Sequence, residues 1–218
     1  MNIYQQGNIA VDTYSLGDLR TNIAIVAHGE EAIVIDAPLG TAKMIFDEID
    51  GRKLRLRYLL ITHNHWDHSG DASFFAERNI PIFAQERDCY LIAHPEDYDI
   101  FMEPDLHIKP CTVDYPLGDG ENLSLCGLDI QTRWIPGHTS GGAAYYFRDL
   151  AICFVGDTLF AKTVGRSDLP GGDKHALFES IREKLYSLPD ETVVVPGHGY
   201  LTTIGAEKYG NPYVRPKK

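Results

Sequence analysis

The stretch Thr62-His63-Asn64-His65-Trp66-Asp67-His68 decides the reading of this chain. Three histidines and an aspartate fall between positions 63 and 68, directly after the apolar run Tyr58-Leu59-Leu60-Ile61. Imidazole is the commonest protein ligand for zinc and similar ions, and carboxylate oxygen completes such sites. In an extended segment His63 and His65 point the same way, because side chains alternate with period two. Asp67 and His68 re-aim at the same point if the chain turns helical there, and Ser69 to Glu77 reads as that helix. A histidine-rich polar loop between strand and helix is the bland alternative. Potential ligands at this density make it the weaker one.

Working outward, three more candidates follow. His138 sits in Ile135-Pro136-Gly137-His138-Thr139, after the strand-like run Leu128 to Trp134. Asp157 ends the apolar run Ala151 to Gly156, and His198 follows Thr192 to Gly197 in the same way. Each lies where an apolar strand meets a Gly-containing loop, a place where open sheets put ligands. The set His63, His65, Asp67, His68, His138, Asp157 and His198 exceeds the needs of one tetrahedral zinc. Two divalent metal ions close together are therefore expected, Zn2+ first, with Fe or Mn as alternatives. A ligand set without thiolate favours a hydrolytic site over a sulfur-rich structural one.

The H-x-H-x-D-H pattern followed in order by His138, Asp157 and His198 resembles the metallo-β-lactamase superfamily. Within it, Gly156-Asp157-Thr158-Leu159-Phe160, Gly165-Arg166, Pro196-Gly197-His198-Gly199 and Asn211-Pro212 resemble the glyoxalase II-like branch. The resemblance implies an αββα sandwich, two mixed sheets flanked by helices, with the site along one edge. It implies a first metal held by His63, His65 and His138, a second held by Asp67, His68 and His198, and Asp157 bridging them. It also makes Asp67, Asp157 and Arg166 the candidate catalytic residues, with Arg166 an anchor for an anionic substrate or else a structural partner of Asp168 or Asp173. Asp36, at a strand end, either orients a ligand or caps a helix.

Bulk properties bound this reading. The chain has 218 residues, so a single domain over 1–218 with a sizeable core is the default expectation. A net charge of −11 leaves no electrostatic footprint for nucleic acid or an anionic membrane. Cys89, Cys111, Cys126 and Cys153 are isolated, and the N-terminus has no basic region followed by an apolar stretch, so a cytoplasmic location is expected. No apolar run approaches the roughly 18–20 residues of a membrane span.

Strands and helices alternate. Asn22 to Ala27 and Glu31 to Asp36 read as a hairpin around His28-Gly29-Glu30. Met44, Ile45 and Ile49 read as one helix face that Gly51 can end. Ile80 to Ala84 is a short strand and Arg87 to Ala93 a helix. Leu177, Phe178, Ile181 and Leu185 form a helical stripe after the N-cap Asp173, stopped by Pro189. Two halves ending in Pro-Gly-His hint at internal pseudo-symmetry. His94 to Gly120 is irregular, either a specificity element or an ordinary surface excursion. His28, His94, His107 and His175 read as surface residues.

The leaving group separates the possible hydrolytic substrates. An amide or β-lactam must expel nitrogen, which needs proton delivery. A thioester expels a thiolate whose conjugate acid has a pKa of about 8.5. The sequence offers no obvious general acid beside the ligands, which favours a small-molecule acyl thioester. Only positions 199–218 follow His198, too few for the helical domain with which true glyoxalase II holds glutathione, and Ser167-Asp168-Leu169-Pro170 replaces the aromatics that contact its thiol moiety. The rival from another class is a mononuclear iron persulfide dioxygenase, whose ligands would map to His63, His138 and Asp157 and whose Gly-Arg-x-Asp sequence Gly165-Arg166-Ser167-Asp168 resembles. Dedicated β-lactamases usually lack a bridging aspartate, RNA-processing relatives carry a basic surface, and diiron flavoprotein relatives place Glu where His65 stands.

Overall fold

The computed structural model describes residues 1–97 and 107–217. Within the irregular segment His94 to Gly120, residues 98–106 lie outside the described residues, as does Lys218.

The N-terminal half builds one seven-stranded sheet in sequence order. Its strands are β1 (Asn2–Gln6), β2 (Ile9–Leu16), β3 (Thr21–His28), β4 (Glu31–Ile35), β5 (Arg55–Leu60), β6 (Ile82–Gln85) and β7 (Tyr115–Leu117). The first four run antiparallel, and the expected hairpin is β3–β4, with Ala24 opposite Ile35 and Ala27 opposite Ala32. From β4 onward the strands are parallel, so a crossover must separate them. α1 (Ala42–Gly51) makes the first crossover, and α2 (Trp66–Ser69) with α3 (Ala72–Ala76) the second. The helix expected over Ser69 to Glu77 is thus two short helices, because Gly70 and Asp71 interrupt it. α4 (Cys89–Ala93) lies between β6 and β7 and is shorter than expected, since Asp88 serves as its N-cap.

The second sheet has six strands in the order β15-β14-β11-β10-β9-β8. They are β8 (Asn122–Leu125), β9 (Leu128–Trp134), β10 (Ala143–Phe147), β11 (Ile152–Gly156), β14 (Val193–Pro196) and β15 (Thr202–Thr203). Between β11 and β14 come the small hairpin β12 (Leu159–Phe160) and β13 (Thr163–Val164) and the helix α5 (Lys174–Glu179). α6 (Ile204–Gly210) closes the chain. Both Pro-Gly-His turns leave this second sheet, after β9 and after β14, so they do not mark two symmetric halves.

Period-two alternation sorts the side chains into layers. On β3, Ala24 and Val26 enter the core between the sheets, where they join Ile33, Ile35, Leu60, Tyr145, Phe147, Phe154 and Val195. Ile23 and Ile25 of the same strand point outward, under α1 and α3, against Ile45, Ile49 and Phe75. Ile135, Tyr146, Val155 and Val194 do the same for the second sheet, under Leu177, Ile181, Leu185 and Ile204. Two mixed sheets covered on both outer faces by helices make the expected αββα sandwich. Strands buried on both faces explain the continuous apolar runs in the sequence.

Local details depart from the sequence reading where tertiary contacts intervene. Met44 is 48 % exposed, so the buried face of α1 is Ala42, Ile45 and Ile49. Asp71 caps α1 from another helix, its Oδ2 accepting the Thr41 and Ala42 amides at 2.6 Å. Asp173 does cap α5, accepting from the His175 and Ala176 amides. Past Ser180 that helix winds as a π-helix to Leu185, and the Ser180 hydroxyl donates to Pro136 O at 2.8 Å, beside the loop that carries His138.

Candidate metal centre

All the candidate ligands gather at one edge of the sandwich because they leave the C-terminal ends of strands that run the same way. β4 and β5 are parallel neighbours, with Ile35 opposite Leu60. Asp36 and Thr62 therefore emerge side by side. β11 and β14 are parallel neighbours too, which brings Asp157 beside Gly197 and His198. The edge is sewn shut where the sheets meet. Tyr145 Oη donates to Ile61 O at 2.7 Å, the Ala143 amide to Thr62 O at 2.8 Å, and the Asn22 amide to Gly197 O at 2.6 Å.

The ligating atoms fall into three groups, each within 4.8 Å: His63, His65 and His138; His63, His68 and Asp157; Asp67, His68 and His198. His65, the N-cap of α2, keeps the extended conformation that aims it with His63, while α2 turns Asp67 and His68 inward. His65 Nδ1 lies 3.1 Å from His63 Nε2 and 2.9 Å from His138 Nε2. Asp157 lies between the groups. Its Oδ1 is 3.4 Å from His68 Nε2, and its Oδ2 is 3.5 Å from His198 Nε2 and 3.7 Å from His138 Nε2. His198 Nε2 is 3.1 Å from Asp67 Oδ2.

Outer hydrogen bonds fix which nitrogen faces inward. His138 Nδ1 donates to Arg166 O at 2.8 Å, His198 Nδ1 to Leu19 O at 3.0 Å, and His68 Nδ1 to Asp36 Oδ2 at 2.7 Å. Carbonyls and carboxylates only accept, so each of these Nδ1 atoms carries a proton and each Nε2 is the nitrogen turned toward the centre. The two readings of Asp36 resolve here. It caps no helix, and its carboxylate takes Thr62 N at 2.7 Å, Thr62 Oγ1 at 2.8 Å and His68 together. Asp36 holds a left-handed φ of 64°, a conformation that costs an L-residue about 1–2 kcal/mol and that these three bonds maintain.

The electrostatics suit cations. Burial pushes His65 down to about 3 and holds His63 and His138 below the ordinary histidine value, so all three are neutral ligands. His198 and His68 behave oppositely. Burial opposes their protonation, but Asp157 and Asp67 raise His198 to about 9, and Asp36, Asp67 and Asp157 raise His68. Burial works against the charge of Asp157, yet His68 and its other histidine neighbours hold its pKa well below the carboxylate range. Buried carboxylates thus draw protons where a cation would serve the same purpose. Tetrahedral zinc–nitrogen bonds of about 2.0–2.1 Å set ligand nitrogens about 3.3 Å apart, close to the spacing observed. The donor set fits divalent metal.

A cavity of about 290 Å³ opens over the centre, lined by His65, Asp67, His138, Asp157 and His198 with Leu19, Trp66, Arg166 and Leu169. Arg166 pairs with Asp168 through two 2.9 Å bonds and not with Asp173. Close approach demands glycine at several positions, Gly197 and Gly137 among them. A Cβ on Gly197 would sit 2.0 Å from Asp157 Oδ1, and one on Gly137 2.2 Å from Leu177 N.

Sequence reasoning missed Leu19, Leu169, Thr62, Asn22 and Asp88. Asn22 Nδ2 donates to Pro196 O and Gly199 O at 3.0 and 2.9 Å, holding the His198 loop. Nothing local marks Leu19 or Asn22, which meet the site only through folding. His28, read as a plain surface residue, also reaches Cys126 O through Nδ1 at 2.8 Å. Among the described residues no helix is long and apolar enough to cross a membrane.

The chain is similar to known proteins in sequence and fold. The family model for the metallo-beta-lactamase superfamily matches residues 16–198. The hydroxyacylglutathione hydrolase GloC of Haemophilus influenzae is 34 % identical over 205 residues, 90 % of this chain and 93 % of its own. Two solved structures superpose closely. BLEG-1, described as a B3 metallo-beta-lactamase, has a TM-score of 0.85 at 31 % identity, covering 94 % of this chain and 99 % of that one. TTHA1623, in a di-iron-bound form, has a TM-score of 0.78 at 34 % identity, covering 93 % and 100 %. The chain belongs to the metallo-beta-lactamase superfamily.

Proposed function

We propose that this protein is a binuclear metallohydrolase that cleaves small acyl thioesters. The observation that carries the reading is the pair of facing ligand groups, His63/His65/His138 and Asp67/His68/His198, with Asp157 between them. Because the ligands come from both sheets, we read residues 1–218 as one domain. Divalent ions held by these two groups, Zn2+ or else Fe or Mn, would supply Lewis acidity and lower the pKa of water to about 7. The chain's residues do the rest. The outer hydrogen bonds of His138, His198 and His68 turn their Nε2 atoms inward, and Asp157 stands between the two ligand groups. Asp67 Oδ2 lies 3.1 Å from His198 Nε2 and faces the cavity, where it can hold a proton of an attacking water.

The cavity lining supports the substrate class. Apart from the ligand candidates, its described residues are Leu19, Trp66, Leu169 and Arg166. None is an acid able to protonate a leaving nitrogen at neutral pH, whereas a thiolate leaves unprotonated. Three apolar walls suit a small acyl group, and Arg166 stands at the mouth to meet a substrate carboxylate. The similarity to a hydroxyacylglutathione hydrolase supports the same class. The four free cysteines fit a reducing, cytoplasmic setting.

The test has two parts. Zinc-loaded protein should approach two metal equivalents by elemental analysis, and a firm ceiling of one would sink the binuclear reading. Zinc- and iron-loaded protein are then compared on S-lactoylglutathione, on glutathione persulfide with oxygen uptake, and on a chromogenic cephalosporin. Thioester cleavage should dominate. Rapid oxygen consumption by the iron form without thioester cleavage would install the dioxygenase, and dominant cephalosporin turnover would install a β-lactamase.

A further inference from the structure

Asp88 is a buried carboxylate with no place in the ligand set, and its surroundings are unusual for its position in the chain. It is 0 % exposed and is the N-cap residue of α4. An aspartate there ordinarily turns its side chain back onto the first amides of its own helix. This one makes no such bond. Its Oδ2 instead accepts the backbone amide of Asn64 at 2.9 Å and the hydroxyl of Thr139 at 2.9 Å. Asn64 lies between His63 and His65, and Thr139 follows His138.

The carboxylate thus ties together the two loops that carry all three members of one ligand group, although one loop leaves the first sheet and the other the second. The rest of the pocket is built around it. Gly141 packs against the other oxygen so closely that a Cβ would lie 2.4 Å from Oδ1 and 2.5 Å from the Asp88 backbone nitrogen. Thr139 and Asn64 are themselves 2 % and 7 % exposed, so water does not compete for these bonds. Asp36 provides the corresponding brace on the other side, holding Thr62 and His68. Asp88 has no comparable bond to the Asp67/His68/His198 group.

We propose that Asp88 is a positioning residue that sets the metal affinity of the His63/His65/His138 centre and leaves the Asp67/His68/His198 centre unaffected. The inference rests on the two-centre reading above. It acts through geometry: the Asn64 amide and the Thr139 hydroxyl fix the separation of the two histidine loops, and outer contacts of this kind typically alter metal affinity 10–100-fold.

The experiment is a zinc titration against a chromophoric chelator, made in single-centre backgrounds. His198→Ala leaves the first centre, and His65→Ala leaves the second. Asp88→Asn should weaken zinc 10–100-fold in the His198→Ala background and change it less than about twofold in the His65→Ala background. Thr139→Val, which keeps the shape and removes only the hydroxyl, should reproduce the same asymmetry more mildly. It serves if Asp88→Asn folds poorly, as judged by the circular dichroism of the metal-free protein. Equal losses in both backgrounds, or no loss in either, would overturn the assignment and make Asp88 a general fold contact. If the unmodified protein holds only one ion, the two-centre reading fails, yet the same variant still decides. Weaker binding of that ion supports a positioning role for Asp88, and unchanged binding removes it.

Discussion

Replacing Gly197 with alanine should disable the centre, while the same change at Gly199, two residues away, should leave it working. At Gly197 the added Cβ would lie 2.0 Å from Asp157 Oδ1 and 2.6 Å from His68 Cε1, where ordinary contact begins near 3.4 Å, so something must yield by roughly 1.4 Å. The Gly197 backbone has little room to do so, since its amide donates to Gly156 O at 2.8 Å and its carbonyl accepts from the Asn22 amide at 2.6 Å. The displacement therefore falls on Asp157 and His68, both in the proposed ligand set. Overpacking of this kind costs about 1–3 kcal/mol, and misplacing a reacting group by about 1 Å costs around 100-fold in rate. Gly199 has nothing within 4 Å of its Cβ position but a φ of +76°, so alanine there costs about 1–2 kcal/mol of backbone strain alone. The two variants should lose similar stability in urea unfolding of metal-free protein. Only Gly197→Ala should lose tightly held metal by elemental analysis and about 100-fold or more in thioester turnover. If Gly197→Ala kept both ions and the unmodified rate, or if Gly199→Ala lost them as fully, the steric account of this loop would be wrong.

Other expectations concern single side chains. Asp157→Ala should abolish binding of both ions, whereas Asp36→Ala, which loses contacts to Thr62 and His68 only, should weaken metal by about 10–100-fold; equal metal loss in the two variants would mean that the inner and outer roles are misassigned. Burial pushes the Asp88 carboxyl up to about 6, against bonds from Thr139 and Asn64 that hold it down. The folded protein thus binds a proton more readily than the unfolded chain, where the value is about 3.9, and ionisation of Asp88 costs stability between about pH 4 and pH 6. Relative to unmodified protein, metal-free Asp88→Asn should gain stability across that window, by up to about 3 kcal/mol; chemical unfolding at pH 4 and pH 7 would refute this if the difference did not change or reversed sign. Arg166→Ala removes an exposed guanidinium paired with Asp168 but leaves the backbone carbonyl that orients His138. It should raise KM for an anionic thioester by roughly threefold to tenfold with metal content unchanged, and a loss of metal would show that Arg166 acts on the centre and not on substrate.

Much of this molecule was legible in the chain because its cues are local. Strand-like apolar runs leading to Gly-His or Gly-Asp marked β9, β11 and β14 and their ligands, and the spacing of His63, His65, Asp67 and His68 anticipated an extended segment turning into a helix. Helix ends were less legible. The cap of α1 comes from Asp71, on another element, and Met44 faces solvent although its spacing matched the buried stripe. The π-helical winding after Ser180 likewise has no cue in its apolar spacing.

The sequence by itself determined which residue types could hold metal and on which strand ends they stand, since ligand chemistry and strand periodicity are properties of short segments. Only the tertiary structure decided which nitrogen of His198, His138 and His68 faces inward, because the carbonyls of Leu19 and Arg166 and the carboxylate of Asp36 that set them lie 179, 28 and 32 positions away in the chain. It alone decided that Asp36 braces His68 and caps no helix, and that Asp88 spans the His63–His65 and His138 loops. Those choices depend on parallel pairing of β4 with β5 and β11 with β14 and on the meeting of two sheets at one edge, and long-range register of that kind leaves no periodic trace in any one segment.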